Sequence, residues 1–325
     1  MPETVLSKEQ LKQVAGSLGF PLIRVCSVAS LSEELLASQH PSRISEELRT
    51  LVVVAMKSPA GIGWARHLGT KQFWAGRILK RIDESCMRLV DHLERRGARA
   101  MVLSSLSIDF DQDDSTGLCP AGQGSRVLRA AAVASGMGTW GLNQMVLTPE
   151  YGPRMFLGGV LADQEWEPDA PLDQELCPGL EECGRCAAVC PEDAIPRRAP
   201  LGASLAQVRR LDATACARSA QPYGASTFLS HLEQVFGKRT GGAEALWNAV
   251  KQRTTGELWQ TMIMVKEGAF TGCAECVQVC PAGEDYERVQ RSPHRQQDLP
   301  GGVSRSVADG FVQIEHAPSQ KSRKQ

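Results

Sequence analysis

The sequence predicts an α+β fold in two parts, on three observations. Over the first half of the chain, short runs of branched residues alternate with stretches of helical periodicity. Eight of the eleven cysteines fall between residues 177 and 280. No apolar run reaches the roughly 18 residues that a membrane span needs, so no membrane partner is expected.

The 325 residues carry 36 Lys and Arg against 37 Asp and Glu, a net charge of -1. This excludes a broad surface for nucleic acid or anionic lipid, and nucleic acid is not expected as a partner. The N-terminus, "MPETVLSKEQLKQVAG", has neither a charged start with an apolar core nor a twin-arginine motif. A cytoplasmic protein is expected.

Ser7 and Gln10 form a capping-box pattern, and Leu11, Val14, Ala15 and Leu18 make an apolar stripe ending near Gly19, which predicts the first helix. "LIRVCSVAS", "RTLVVVAMKS" and "ARAMVLSS" read as buried strands. Between the last two, Phe73, Trp74, Ile78, Ile82, Cys86, Leu89 and Leu93 keep helical spacing until Gly97. An acidic loop, "IDFDQDDSTGLCPAGQGS", precedes a helix, "RVLRAAAVAS", and two further strands, "QMVLT" and "MFLGGVLAD". The first part is expected to span 1–169. The second, 170–292, contains a helical insert at 217–272, and 293–325 reads as a polar mobile tail.

Two cysteine runs, "CPGLEECGRCAAVCPEDAIP" and "CAECVQVCPAG", both end in C-x2-C-x3-C-P. A short turn of that spacing brings three thiolates to one 4Fe-4S cluster, while the cysteine before proline reaches a neighbouring one. Two clusters need eight ligands and the runs supply seven, so Cys216 in "LDATAC" is the eighth. The exchange assigns Cys177, Cys183, Cys186 and Cys280 to one cluster, and Cys216, Cys273, Cys276 and Cys190 to the other. Structural zinc is the weaker alternative, since zinc would not require the doubled Cys-Pro ending. Cys26 and Cys86, on an apolar strand and an apolar helical stripe, read as core residues.

"GMGTWGLNQMVLTPEYGPRMFLGG" contains a G-x-G-x-x-G in Gly136, Gly138 and Gly141. A dinucleotide fingerprint leaves a strand and opens a helix; here a helix comes first and a strand follows. Glycines in that order suit a close approach of backbone to a large flat ligand.

Together with "RTLVVVAMKS", "CGRCAAVCPEDAIP", "LDATAC" and "CAECVQVCP", this segment resembles the cobalamin-dependent iron-sulfur reductases, namely the epoxyqueuosine reductases and the catalytic part of reductive dehalogenases. The resemblance runs from about residue 10 to residue 285. It implies a nitroreductase-like cobalamin-binding domain followed by a bacterial-ferredoxin-like double-cluster domain. It also implies that Gly136, Gly138, Trp140, Gly141, Asn143, Met145, Phe156, Leu157 and Gly158 line the corrin, and that no histidine lies below the cobalt: "DHLERRG" only approximates D-x-H-x-x-G. Arg154 is a candidate for a corrin amide or an anionic substrate.

The acid-bearing D-S-A-P-V-L-E-R segment of epoxyqueuosine reductases is replaced by "GQGSRVLR", and their C-terminal tRNA-binding helical repeats are not seen. "TPEYGPR" looks closer to the dehalogenases. The expected function is therefore a cobalamin-dependent reductase acting on a small molecule, fed by an external donor such as a ferredoxin or flavodoxin. A two-cluster electron carrier or a cobalamin-handling protein is the alternative, and epoxyqueuosine in tRNA the less favoured substrate. Proton-donor candidates are Tyr151, Asp109, Asp111, Asp113 and Asp114.

Overall fold

The computed structural model describes residues 6–32, 35, 37–65, 68–105, 123–220, 244, 273–290 and 303–315. The chain opens with helix α1, Lys8–Ser17, and its capping box is formed in both directions. Gln10 N donates to Ser7 Oγ at 3.2 Å and Ser7 N donates to Gln10 Oε1 at 2.9 Å. These bonds satisfy backbone donors that a first helical turn leaves without partners.

There follow β1, Leu22–Ser27; β2, Thr50–Lys57; α2, Ala60–Trp64; α3, Leu68–Glu94; β3, Ala100–Leu103; α4, Arg126–Ala134; a small hairpin of β4, Thr139–Trp140, and β5, Val146–Leu147; and β6, Met155–Ala162. The main sheet has the order β1-β2-β6-β3, and each neighbouring pair is antiparallel.

The pleat sends alternate side chains into two cores. Leu51, Val53 and Ala55 of β2 pack with Leu157 and Leu161 of β6 and Leu128 of α4. Val52, Val54 and Met56 pack with Ile82 and Leu89 of α3 and Leu11 of α1. Helices cover both faces, so β2 is apolar from Leu51 to Met56 instead of alternating. Where β6 lacks side chains the helices come closest. A Cβ on Gly158 would collide with Ile82, and one on Gly159 would lie 2.7 Å from Leu128 Cδ2.

The chain is tied back to α1 before it leaves this sheet. Trp166 Nε1 donates to the Leu6 carbonyl at 2.9 Å, and Asp169 pairs with Lys8 at 2.8 Å while accepting from Val25 N at 2.8 Å. Beyond it the elements are short: α5, Gly179–Glu182; α6, Arg185–Val189; β7, Arg198–Pro200; α7, Leu205–Val208; α8, Ala213–Ala220; α9, Glu275–Gln278; α10, Tyr286–Gln290; β8, Arg305–Ala308; and β9, Phe311–Ile314. A third apolar cluster, including Leu180, Ala187, Ile195, Val208, Val312 and Ile314, holds them together.

One expectation is corrected here. Within the stretch read as a mobile tail, β8 and β9 form a hairpin whose second strand pairs with β7. Asp309 and Gly310, both at positive φ, make its turn. An Asp-Gly pair has the backbone twist that a tight hairpin needs, and Val312 and Ile314 are buried. Most of the helical insert at 217–272 lies outside the described residues. Among the described residues no helix is long and apolar enough to cross a membrane.

Candidate metal centres

The second cysteine of each C-x2-C pair sits in a short helix, Cys186 in α6 and Cys276 in α9. Gly184, in the left-handed region at φ 63°, provides the turn between Cys183 and α6. α6 stops at Cys190, which is extended at ψ 115°, as the ring of the following proline requires.

The cysteines of the two runs meet in exchanged sets. One cavity is lined by Cys177, Cys183, Cys186 and Cys280. A second is lined by Cys190, Cys216, Cys273 and Cys276, with Cys216 arriving on α8. The ten described cysteines are all free thiols, and Cys26 and Cys86 lie in the apolar cores. Among the described residues, no three His, Cys, Asp or Glu side chains converge on a single ion position.

Removal from water disfavours a thiolate. Burial pushes Cys280 up to about 12 and Cys273 up to about 11. Cys186 and Cys276 are also raised, first by burial and then by neighbouring thiols. At Cys177 a backbone donor acts the other way, Leu142 N donating to Sγ at 3.4 Å. Ala194 N donates to Cys190 Sγ at 3.3 Å. A bound metal would reverse the balance, since ligation deprotonates a thiol outright.

A further observation fits iron-sulfur clusters. Asn143 is buried beside both cavities; its Nδ2 forms no close hydrogen bond, and the group its amide acts on is the Cys276 thiol. Cluster sulfurs would supply a stronger acceptor.

The loop after β5 clasps the chain beyond Cys280. Glu284 N donates to the Pro149 carbonyl at 2.9 Å, and Asp285 N to the Glu150 carbonyl at 3.1 Å. Arg154, 5 % exposed, donates through Nη1 to the Cys280 carbonyl at 2.9 Å and through Nη2 to Asp285 Oδ1 at 2.7 Å. Its guanidinium thus holds the turn behind a cysteine. Lys57 Nζ reaches Asp285 Oδ2 at 3.4 Å and stands 5.2 Å from the centre of the Tyr151 ring.

The residues expected to line a corrin have other surroundings. α4 precedes Gly136 and β4 follows it, the order read from the sequence. A Cβ on Gly136 would strike the Ala170 carbonyl, one on Gly138 the Leu147 carbonyl, and one on Gly141 would lie 2.7 Å from Asn143 Oδ1. These glycines admit this chain's own backbone. Met145 and Leu157 are buried, Leu157 in the core it shares with α4, and Phe156 packs on the α3 side. Gly158 faces Ile82. Trp140 lies under the Arg209 guanidinium at 4.7 Å, its buried Nε1 without an acceptor.

Asp109, Asp111, Asp113 and Asp114 lie outside the described residues. In "GQGSRVLR", Ser125 caps α4. Gln123 of the same stretch is buried, accepting from Val146 N at 2.8 Å and donating to the Val146 carbonyl at 2.8 Å. Sequence reasoning missed Gln123, Lys57 and Asp285, because no spacing marks their partners.

No protein-family model matches the chain. It is 37% identical over 62 residues to the epoxyqueuosine reductase of Listeria monocytogenes, covering 19% of this chain and 15% of that protein. It is 33% identical over 76 residues to the tetrachloroethene reductive dehalogenase of Desulfitobacterium hafniense, covering 23% and 14%. The chain is a homologue of these reductases over those segments. The matches thus span less than a fifth of either relative. A crystal structure of selenomethionine-labelled epoxyqueuosine reductase aligns with 85% of this chain and 65% of its own, at a TM-score of 0.48 and 19% identity.

Proposed function

We propose that this chain is an oxidoreductase with one 4Fe-4S cluster in each cysteine-lined cavity, and that the clusters carry single electrons to a corrinoid-dependent reduction of a small molecule. The observation that carries the reading is the exchange: each cysteine before proline crosses to the other run's set, as in two-cluster ferredoxin-type proteins. The sequence relatives, both named reductases, support reduction as the chemistry. An external ferredoxin or flavodoxin would supply the electrons.

The corrinoid comes from the resemblance, which also supplies the glycine segment as its proposed lining. Tyr151 is the proposed proton donor. Its ring is partly buried against the sheet core with Lys57 over its face, which a packing role would also produce. The small-molecule reading is favoured by the even charge balance and by a "GQGSRVLR" stretch without an acid. A second reading, epoxyqueuosine in tRNA, is favoured by the Listeria relative.

Protein purified without oxygen is the test. Iron and sulfide should each reach about eight per chain, and added cobalamin should stay with the protein through gel filtration. Full clusters without retained cobalamin would leave a two-cluster electron carrier. Substrate-dependent reoxidation, offered halogenated aromatics and epoxyqueuosine tRNA in parallel, decides the substrate. Tyr151→Phe should lose about 10²- to 10⁴-fold in turnover if the phenol gives the proton, and undiminished turnover would remove it from that role.

A further inference from the structure

Among the residues lining the two cysteine cavities, Asn143 is common to both. It stands at the turn of the β4-β5 hairpin and is 3 % exposed. Its amide orientation is set from one side. Oδ1 accepts from Met145 N at 3.3 Å, in space that Gly141 leaves by having no Cβ. Nδ2 is thereby turned to the opposite side, buried, with no close hydrogen bond of its own and the Cys276 thiol as the group its amide acts on. Orientation of an amide is assigned from such a network, and here the network assigns it.

A buried donor left with only a weak acceptor is costly. The cysteine thiols of these cavities are weak acceptors in themselves. Thiolate and sulfide sulfurs of a cluster carry negative charge and accept more strongly.

We propose that Asn143 is a positioning residue placed between two iron-sulfur clusters, whose Nδ2–H donates to a sulfur of the cluster held by Cys190, Cys216, Cys273 and Cys276 and raises that cluster's reduction potential. This rests on the two-cluster reading above. Reduction adds an electron whose charge spreads onto the cluster sulfurs, so a donor aimed at them stabilises the reduced form more than the oxidised one, and hydrogen bonds to sulfur are among the determinants of cluster potential. The electron would also pass beside this side chain in moving from one cluster to the other.

The test is a potentiometric titration of the anaerobically prepared full chain, followed by electron paramagnetic resonance. Asn143→Leu removes the donor at similar volume. It should lower the potential of the Cys216-containing cluster by about 59 mV, a tenfold change in a one-electron equilibrium, and shift the other cluster less. Asn143→Asp keeps the oxygen that accepts from Met145 N and puts an oxygen in place of Nδ2, so its shift should be larger. A residue that only packs would change thermal stability and leave both potentials alone. Variants with full iron and wild-type potentials would overturn the proposal.

A second measurement needs no variant. The chain has two asparagines, Asn143 and Asn248, so asparagine labelled with nitrogen-15 in the side-chain amide marks few sites. Pulsed electron paramagnetic resonance of the reduced protein should show a nitrogen-15 coupling to a cluster. Its absence in protein holding all its iron would also sink the assignment. Wild-type protein that binds far less than two clusters' worth of iron would fail earlier, on the cluster reading itself.

Discussion

Around the first cavity, the walls come from both parts of the chain: Gly141, Leu142 and Leu147 join Cys177, Cys183, Cys186 and Cys280. Arg154, at the foot of β6, grips the Cys280 carbonyl, and Arg305 of the C-terminal hairpin donates to the Cys183 carbonyl at 3.0 Å. Around the second cavity, the described walls run from Cys190 to Cys276, and Asn143 is the contribution from the sheet side. Its nearby cation, Lys71 on α3, pairs with Glu275 at 3.7 Å. One site is thus built against the β4-β5 hairpin and the turn that Arg154 holds, while the other is built mainly from its own loops. The first should be lost when the sheet's clasp is cut, and the second when a single local ligand is removed.

Arg154→Ala tests the first half of that contrast and should have the largest effect. It leaves Asp285, 5 % exposed, with only the longer Lys57 contact. Breaking a buried ion pair from one side costs about 3–5 kcal/mol. Denaturant unfolding should show a loss of that order, and iron analysis a deficit in the Cys280-containing cluster. Arg154→Lys, which cannot hold three acceptors in one plane, should recover part of it. An Arg154→Ala protein with wild-type stability would show the clasp to be ornamental.

Cys216→Ala tests the other half. It should remove or distort the cluster of Cys190, Cys273 and Cys276 and leave the Cys177-containing cluster with its spectrum intact. Equal damage to both would mean that the second site is no more local than the first.

The smallest effect belongs to Cys86→Ala. This thiol is fully buried under β6, where burial pushes it up to about 12. Iron content should not change, and the lost core volume should cost about 1 kcal/mol in a melting experiment. A drop in iron would make Cys86 more than a core residue.

Most of the sheet was legible because its signals are local. Ser7 and Gln10 announced α1, and the spacing from Phe73 to Leu93 announced α3. For the cysteines the signal is of another kind: the Cys-Pro ending carries a stereochemical rule that reaches across sequence, and the two cavities gather the same groups of cysteines. The contacts of Arg154 were not legible because its partners lie 126 and 131 positions away, and nothing near it in sequence hints at Cys280 or Asp285. The packing around the glycines was not legible because close approach looks the same in sequence whether the visitor is a ligand or the chain itself. The hairpin at 305–314 was overlooked although "VADGFV" carries its turn, because the polar composition around it outweighed one Asp-Gly pair.

The exchange of cysteines also bears on how the protein is made. As the chain leaves the ribosome, the first run emerges with three thiols of its own set, and its fourth, Cys280, is the last cysteine to be synthesised. Neither site has all its ligands until the second run is out, and then both are completed within the few residues from Cys273 to Cys280. On the two-cluster proposal, cluster insertion would be a late, nearly simultaneous event, and a nascent chain arrested before Cys273 would offer an iron-delivery system nothing complete to fill.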